Sequence, residues 1–127
     1  MQSYVKICSP TLQSDRAFAA CEHLIRRASE VCREVGARLV VMSIPDLSLV
    51  AGLALERALA EAGNGIEFDP TVPDRRLEGI SRQVGVQFVA LRDHLTSRDY
   101  LERDFHWSPA GHAAVAEVIE GLFREGS

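Results

Sequence analysis

The sequence lacks three features that would assign it quickly to a class: a strong positive charge, a long apolar run and a dense set of cysteines. Its 14 Lys and Arg against 18 Asp and Glu leave a net charge of −4, and the basic residues are scattered. Phosphate binding needs clustered Lys and Arg, so we expect no nucleic-acid partner. Met1 is followed by Gln2-Ser3-Tyr4-Val5, without a basic segment or a long apolar stretch. We therefore expect no signal peptide, no membrane contact and a cytoplasmic location.

The cysteines are few and their number is odd. Cys8, Cys21 and Cys32 show no spacing typical of a metal site, which predicts free thiols in a reducing compartment. Cys21 and Cys32 fall on the apolar face of one predicted helix, where core packing explains them.

What the sequence does contain is the composition of one ordinary globular domain. Its 127 residues are 46% hydrophobic and 25% charged, enough to bury a core without disulfides or metal ions. We expect residues 1–127 to form a single α/β domain.

Hydrophobic periodicity predicts helices alternating with strands. A first helix is predicted by apolar residues that recur at three- and four-residue steps: Phe18, Cys21, Ile25, Ala28, Cys32 and Val35. Ser14 or Asp15 is its predicted N-cap, and Gly36 its end. Further helices are predicted at Leu47–Ala62, from Pro73 to Gly85, at Ser97–Leu101, and after an N-cap at Ser108. The last helix is expected to bury Val115, Val118, Ile119, Leu122 and Phe123.

Short apolar runs predict three strands, Tyr4–Cys8, Leu39–Ile44 and Val86–Leu91. The Leu39–Ile44 run is continuous and rich in β-branched residues, which is typical of a strand buried on both faces of a parallel sheet. Strands that alternate with helices imply parallel pairing, with helices covering both faces of the sheet.

The segment Asp104–His112 carries the chemistry. Asp104 stands two residues before His106, in the loop that leads into the last helix. A carboxylate so placed can accept the Nδ1 proton of the imidazole, which leaves Nε2 as a base. A base of this kind activates a serine hydroxyl in acyl transfer.

The run D-F-H-W-S-P-A-G-H before an amphipathic helix resembles the last conserved block of the SGNH (GDSL-type) hydrolases. It is similar to the Asp-x-His-Trp variant found in bacterial carbohydrate O-acetyl esterases and acetyltransferases. The resemblance implies a flavodoxin-like, three-layer parallel sheet flanked by helices, of which this chain is the C-terminal half. It also implies a serine ester hydrolase or acyl transferase that acts on a small acyl ester, such as an O-acetylated carbohydrate. His106 would be the general base and Asp104 its orienting partner, without a cofactor.

The sequence departs from the family pattern where the nucleophile should be. It contains no Gly-Asp-Ser, and Ser9-Pro10-Thr11 follows the first predicted strand in place of Gly-x-Asn-Asp. The nucleophilic serine is therefore not identified, and the isolated chain is expected to be nearly inactive. Ser9 is a weak candidate, since it follows a strand and precedes a helix, but Pro10 does not suit the small-residue turn of such serines. The alternative is a non-catalytic, truncated hydrolase fold that serves in association.

The remaining candidates have plainer interpretations. His112 could join Asp104 and His106 around a metal ion, but a structural role is favoured because no further ligand cluster exists. Trp107 is expected to anchor packing and also to line a substrate pocket. Asp93 and His94 follow a strand and are expected in a surface loop, with substrate contact as the alternative.

Only three strands are predicted, so at least one sheet edge would lack a partner. Exposed edges invite pairing. We therefore expect a homodimer, or a missing N-terminal half or partner chain, joined across an open sheet edge.

Overall fold

The chain combines helices with a parallel sheet. The computed structural model describes residue 8, residues 11–50, residue 60, residues 69–102, residue 104 and residues 106–124. Its elements, in chain order, are α1 (Leu12–Glu34), β1 (Val40–Ser43), α2 (Leu47–Val50), α3 (Val72–Val84), β2 (Gln87–Ala90) and α4 (Pro109–Arg124), with 3-10 turns at Leu91–Asp93 and Ser97–Asp99. The α/β class predicted from the sequence is confirmed at this level.

Local sequence signals set the ends of α1. Thr11 is the N-cap: its Oγ1 accepts a hydrogen bond from the Ser14 N–H at 3.1 Å, and Ser14 Oγ accepts one from the Thr11 N–H at 3.0 Å. The predicted cap at Ser14 or Asp15 is therefore three to four residues too late, because Ser14 is the reciprocal partner of the cap. Gly36 has a φ of 68°, the left-handed conformation predicted for it.

The bounds of α3 follow the predicted signals. Pro73 lies in its first turn, where a missing N–H costs nothing, and Gly85 ends it with a φ of 80°. The Gly85 N–H donates to Ser81 O at 2.9 Å, so the left-handed residue satisfies a carbonyl of the last turn.

The two strands pair in parallel, with Val40 opposite Gln87 and Ser43 opposite Ala90. Both are one residue shorter at each end than predicted. Their residues are half-buried at most, and Ile44, just beyond β1, is 62% exposed. The expectation that the Leu39–Ile44 run is buried on both faces is therefore wrong.

Two predicted elements fall largely outside the described residues. Of the Tyr4–Cys8 strand, only Cys8 is described, and it is fully buried. Of the Leu47–Ala62 helix, the structure describes the first turn, α2, and the helical residue 60.

The core cluster lies between the sheet, the segment that follows β2, and α4. Its buried members are Leu91, Leu95, Tyr100 and Val115, and partly buried Met42, Val89 and Val118 pack against them. Two residues predicted on the buried face of α4 are instead exposed: Ile119 by 40% and Phe123 by 70%. Gly111 and Val115 fix which side of α4 faces the core, and the roughly 100° rotation per residue turns Ile119 and Phe123 away from it.

Candidate active site

The candidate site is the turn that precedes α4, and its exit is fixed by the helix cap. Pro109 is the first residue of α4, and Ser108 Oγ accepts a hydrogen bond from the Gly111 N–H at 3.2 Å. The same hydroxyl donates to Arg98 O at 3.3 Å, so the cap also joins α4 to the preceding 3-10 turn. Ser108 therefore holds the start of the helix, as predicted.

Gly111 allows a backbone approach that no other residue would permit. A Cβ built at this position would lie 2.1 Å from Asp99 O and 3.1 Å from Trp107 Cβ. The Ser108 N–H donates to the same Asp99 carbonyl at 2.8 Å. The glycine of the Ser-Pro-Ala-Gly run thus brings the first turn of α4 directly onto the chain before the motif.

The backbone on both sides of the motif forms a short antiparallel pairing. Tyr100 and Trp107 form a β-bridge, and the Leu101 N–H donates to His106 O at 2.9 Å. The Asp104 N–H donates to Leu101 O at 3.2 Å and begins the turn. These bonds, with the Asp99 and Gly111 contacts, form the motif frame.

The motif frame presents Asp104 and His106 as a hydrogen-bonded dyad. His106 Nδ1 lies 2.6 Å from Asp104 Oδ1, and the same oxygen accepts the His106 backbone N–H at 3.3 Å. A carboxylate only accepts hydrogen bonds, so Nδ1 carries a proton, and in the neutral form of this ring Nε2 has the lone pair. The His106 side chain is 83% exposed, so Nε2 is open to a substrate or a second polypeptide.

Buried aromatic contacts tie the motif frame to the sheet. The Tyr100 hydroxyl donates to Pro45 O at 2.7 Å, and Pro45 lies just beyond the carboxyl end of β1. The half-buried Trp107 packs against the core cluster and meets the His112 ring edge-on, at 5.5 Å between centroids. The frame that carries the dyad is therefore anchored beside the carboxyl end of β1, and ligands bind at this edge in open parallel sheets.

The other predicted candidates lie in different settings. Asp93 and His94 are exposed, and His94 lines a groove of about 470 Å³ with Val89 and the inner side of α4. His112 contacts Trp107, and among the described residues no group of three or more His, Cys, Asp or Glu could hold a metal ion. The weak nucleophile candidate, Ser9, lies outside the described residues.

Sequence reasoning missed a second group of ionisable side chains, which we name the thiol cluster: Cys8, Asp69, Asp74 and Arg92. Arg92 Nη2 lies 3.1 Å from Asp74 Oδ2 with both side chains largely buried, and it also donates to Pro70 O. The Asp69 N–H donates to Cys8 O at 3.1 Å. The only signal in the sequence was an arginine directly after a strand, which is too common to single out.

Burial, with neighbouring charges, makes the Cys8 thiol difficult to ionise. Burial raises the pKa of the Cys8 thiol to about 11, against a smaller lowering by Arg92 and with further raising by Asp69 and Asp74. Hydrogen bonds from the Thr71 hydroxyl and backbone N–H, with a contribution from Arg75, lower the pKa of Asp69. The thiol thus stays neutral beside an ionised carboxylate, which is typical of a structural cysteine.

Comparisons with protein-family models, with curated proteins and with solved structures found no match for this chain. None of the helices that the structure describes is both long and apolar enough to cross a bilayer. The residues and geometry of the dyad therefore carry the functional proposal.

Proposed function

We propose that the dyad is the base and orienting carboxylate of a serine ester hydrolase or acyl transferase. The observation that carries the proposal is the 2.6 Å contact between His106 Nδ1 and Asp104 Oδ1, in a loop at the carboxyl edge of a parallel sheet. The substrate would be a small acyl ester, with an O-acetylated carbohydrate as the first candidate because of the Asp-x-His-Trp resemblance. No cofactor enters the scheme.

In this mechanism His106 moves protons at Nε2. It takes the proton of a serine hydroxyl as the oxygen attacks the acyl carbon, and returns it to the departing alcohol. Asp104 holds the ring in the Nδ1–H tautomer and stabilises the imidazolium between these steps. Water or an acceptor alcohol then takes the acyl group from the serine, again with Nε2 as the base.

The architecture proposed for the complete site is the flavodoxin-like, three-layer fold of the SGNH hydrolases. The parallel β1–β2 pair, with the loop, cap and terminal helix in the expected order, supports this proposal. The serine and oxyanion donors would come from sequence outside this chain, in a missing N-terminal half or a partner joined across an open sheet edge. The exposed side of His106 leaves room for that addition.

Activity measurements test the base directly. The chain alone should hardly hydrolyse p-nitrophenyl acetate, whereas a longer form that carries the serine should be active. In that form His106→Ala should lower kcat by about 10⁴-fold, and the control His23→Ala, an exposed change on α1, should leave kcat unaltered. An active protein that tolerates His106→Ala would refute the assignment.

A spectroscopic readout tests the dyad without any activity. In the isolated chain, ¹⁵N chemical shifts of the His106 ring should report the Nδ1–H tautomer. Asp104→Asn should shift the population towards Nε2–H, since an amide no longer requires a donor at Nδ1. An unchanged tautomer would mean that Asp104 does not orient the ring.

A non-catalytic association module is the second candidate. It is favoured by the exposure of His106 and by the absence of any hydroxyl partner for Nε2 within the described part of the chain. The coding sequence upstream of Met1 discriminates: a Gly-Asp-Ser block there supports the hydrolase. If that block is absent and every purified form is inactive, the association module is the better description.

A further inference from the structure

Helix α1 uses one side to contact α3. On that side Phe18 is buried, Arg76 stacks over its ring at 4.9 Å, and Arg76 also forms an ion pair with Asp15 at 3.0 Å. Glu22 lines the same α1–α3 groove. The side of α1 that faces α3 is therefore well defined.

A second apolar face of α1 has no partner within the described residues. We name it the α1 stripe. Its members recur at three- and four-residue steps, are all exposed, and end with the residue that caps the helix: Ala17, Ala20, Leu24, Ala28, Val31 and the C-cap Val35. Leu24 is 66% exposed, Val31 51% and Val35 72%. At about 100° per residue, the stripe lies roughly 150° around the helix from the side that contacts α3. An exposed apolar row about 27 Å long is typical of a contact surface.

We infer that the α1 stripe binds the α1 stripe of a second copy of this chain, in antiparallel orientation. The stripe is self-complementary in size: one antiparallel register places Leu24 opposite the partner's Ala28, and Ala17 opposite the partner's Val35. In the same register Val31 meets the small residues around Ala20. Small residues opposite large ones let two helices approach closely.

The charges at the border of the stripe select the same register. Arg16 and Glu34 are exposed near opposite ends of α1, on the same border of the stripe, and neither forms an ion pair within the described contacts. The size-matched register brings Arg16 of each copy to Glu34 of the other, at both ends of the interface. Arg27 approaches its own copy near the twofold axis, but Glu30 of the same helix already pairs with it.

The position of α3 makes this arrangement sterically open. Because α3 lies almost opposite the stripe, two copies would set their α1 helices side by side with the α3 helices outermost. The dimer does not depend on the proposed chemistry, since the stripe is on α1 and the dyad precedes α4. A single helix pair is a small interface, so we expect a Kd on the order of 10 µM.

Two natural thiols report on the orientation. Cys21 and Cys32 are free and half-buried on the border of the stripe nearer the core. In the antiparallel register Cys21 of one copy lies beside Cys32 of the other, at nearly the same height along the helix. A parallel dimer would instead place each cysteine beside its own counterpart.

The first experiment measures molar mass by analytical ultracentrifugation of the 127-residue chain from about 1 to about 200 µM, a range that spans the expected Kd. The mass should rise from the monomer's 14.0 kDa towards twice that value. Leu24→Lys should hold the chain monomeric, while the charge-matched control His23→Lys, on the next residue but off the stripe, should dimerise normally. A monomeric wild type at 200 µM, or a dimer that tolerates Leu24→Lys, would overturn the inference.

The second experiment tests the register by exchanging charges. Both side chains are exposed, so we expect the changes to leave the fold intact. Arg16→Glu should weaken the dimer about tenfold, and the double variant Arg16→Glu with Glu34→Arg should restore it. An absence of restoration would overturn the antiparallel register. If circular dichroism shows that Leu24→Lys unfolds the chain, this pair of variants still tests whether the dimer forms through the α1 stripe.

A short bis-maleimide provides an independent check. It should link two copies through Cys21 and Cys32, identified by mass spectrometry of the linked peptides, and either Cys21→Ser or Cys32→Ser should abolish that link. Links of Cys21 to Cys21 and of Cys32 to Cys32 would show a parallel contact and refute the arrangement.

Discussion

The dyad and the thiol cluster are two sets of ionisable side chains that the fold treats in opposite ways. Asp104 and His106 are held by a hydrogen-bonded backbone frame; the Asp104 side chain is half-exposed and the His106 side chain is 83% exposed. Cys8 and Arg92 are enclosed, so the thiol pKa is raised and the arginine is committed to an ion pair. The comparison teaches that the backbone decides whether an ionisable side chain is accessible to solvent or enclosed.

The largest loss of stability is expected from Gly111→Ala, which places a methyl group inside the motif frame. Its Cβ would lie 2.1 Å from Asp99 O, so the start of α4 must move, at a cost of about 3 kcal/mol or more in the free energy of unfolding. Gly121→Ala in the same helix meets nothing within 4 Å and should stabilise the protein by about 0.5–1 kcal/mol. Urea denaturation measures both; similar values for the two variants would show that the frame is not tightly packed.

The second prediction concerns thiol reactivity. At pH 8, N-ethylmaleimide should modify Cys8 at least about 100-fold more slowly than Cys21 or Cys32, because burial keeps the Cys8 thiol protonated. The free energy of unfolding should also fall as pH rises from 9.0 towards about 11. In this range the folded chain keeps the Cys8 proton that the unfolded chain releases. Rapid labelling of Cys8 in the native protein would show that the thiol is not enclosed, and the contrast between the thiol cluster and the exposed dyad would then be wrong.

Arg92→Met tests the other half of the thiol cluster and should have a somewhat smaller effect. The Arg92 and Asp74 side chains are only 19% and 18% exposed, so loss of the cation leaves a largely buried carboxylate and costs about 2 kcal/mol. The matched control Arg82→Met breaks an exposed ion pair with Glu78 and should cost less than about 0.5 kcal/mol. Equal unfolding midpoints for the two variants would mean that the cluster contributes no more than a surface pair.

The contrast between the dyad and the thiol cluster also explains which features could be predicted from the sequence. The helices have local signals, so the bounds of α3 follow from Pro73 and Gly85, and the start of α4 from Ser108 and Pro109. The dyad was predictable for the same reason, since its two members are two residues apart.

Contacts that join distant segments left no such signal. The thiol cluster joins Cys8 to Asp69 and Arg92, and its members carry no shared pattern. The exposure of Ile119 and Phe123 depends on how Gly111 docks, which hydrophobic periodicity alone does not encode. The α1 stripe carries no separate signal, because hydrophobic periodicity places Ala28 and Val35 on the same apolar face as Phe18, whereas the structure buries Phe18 and exposes the other two.

The hydrogen bond from Tyr100 to Pro45 has a consequence for the portability of the motif. It spans 55 residues of sequence, so the bridge between Tyr100 and Trp107 is anchored by a segment far away along the chain. A peptide cut from the C-terminal third would keep every letter of the Asp104–His112 run and lose this buried anchor. The orientation of the His106 imidazole is therefore a property of the folded domain. If the run were grafted into another scaffold, that scaffold would need a carbonyl acceptor in the place of Pro45 to orient the imidazole.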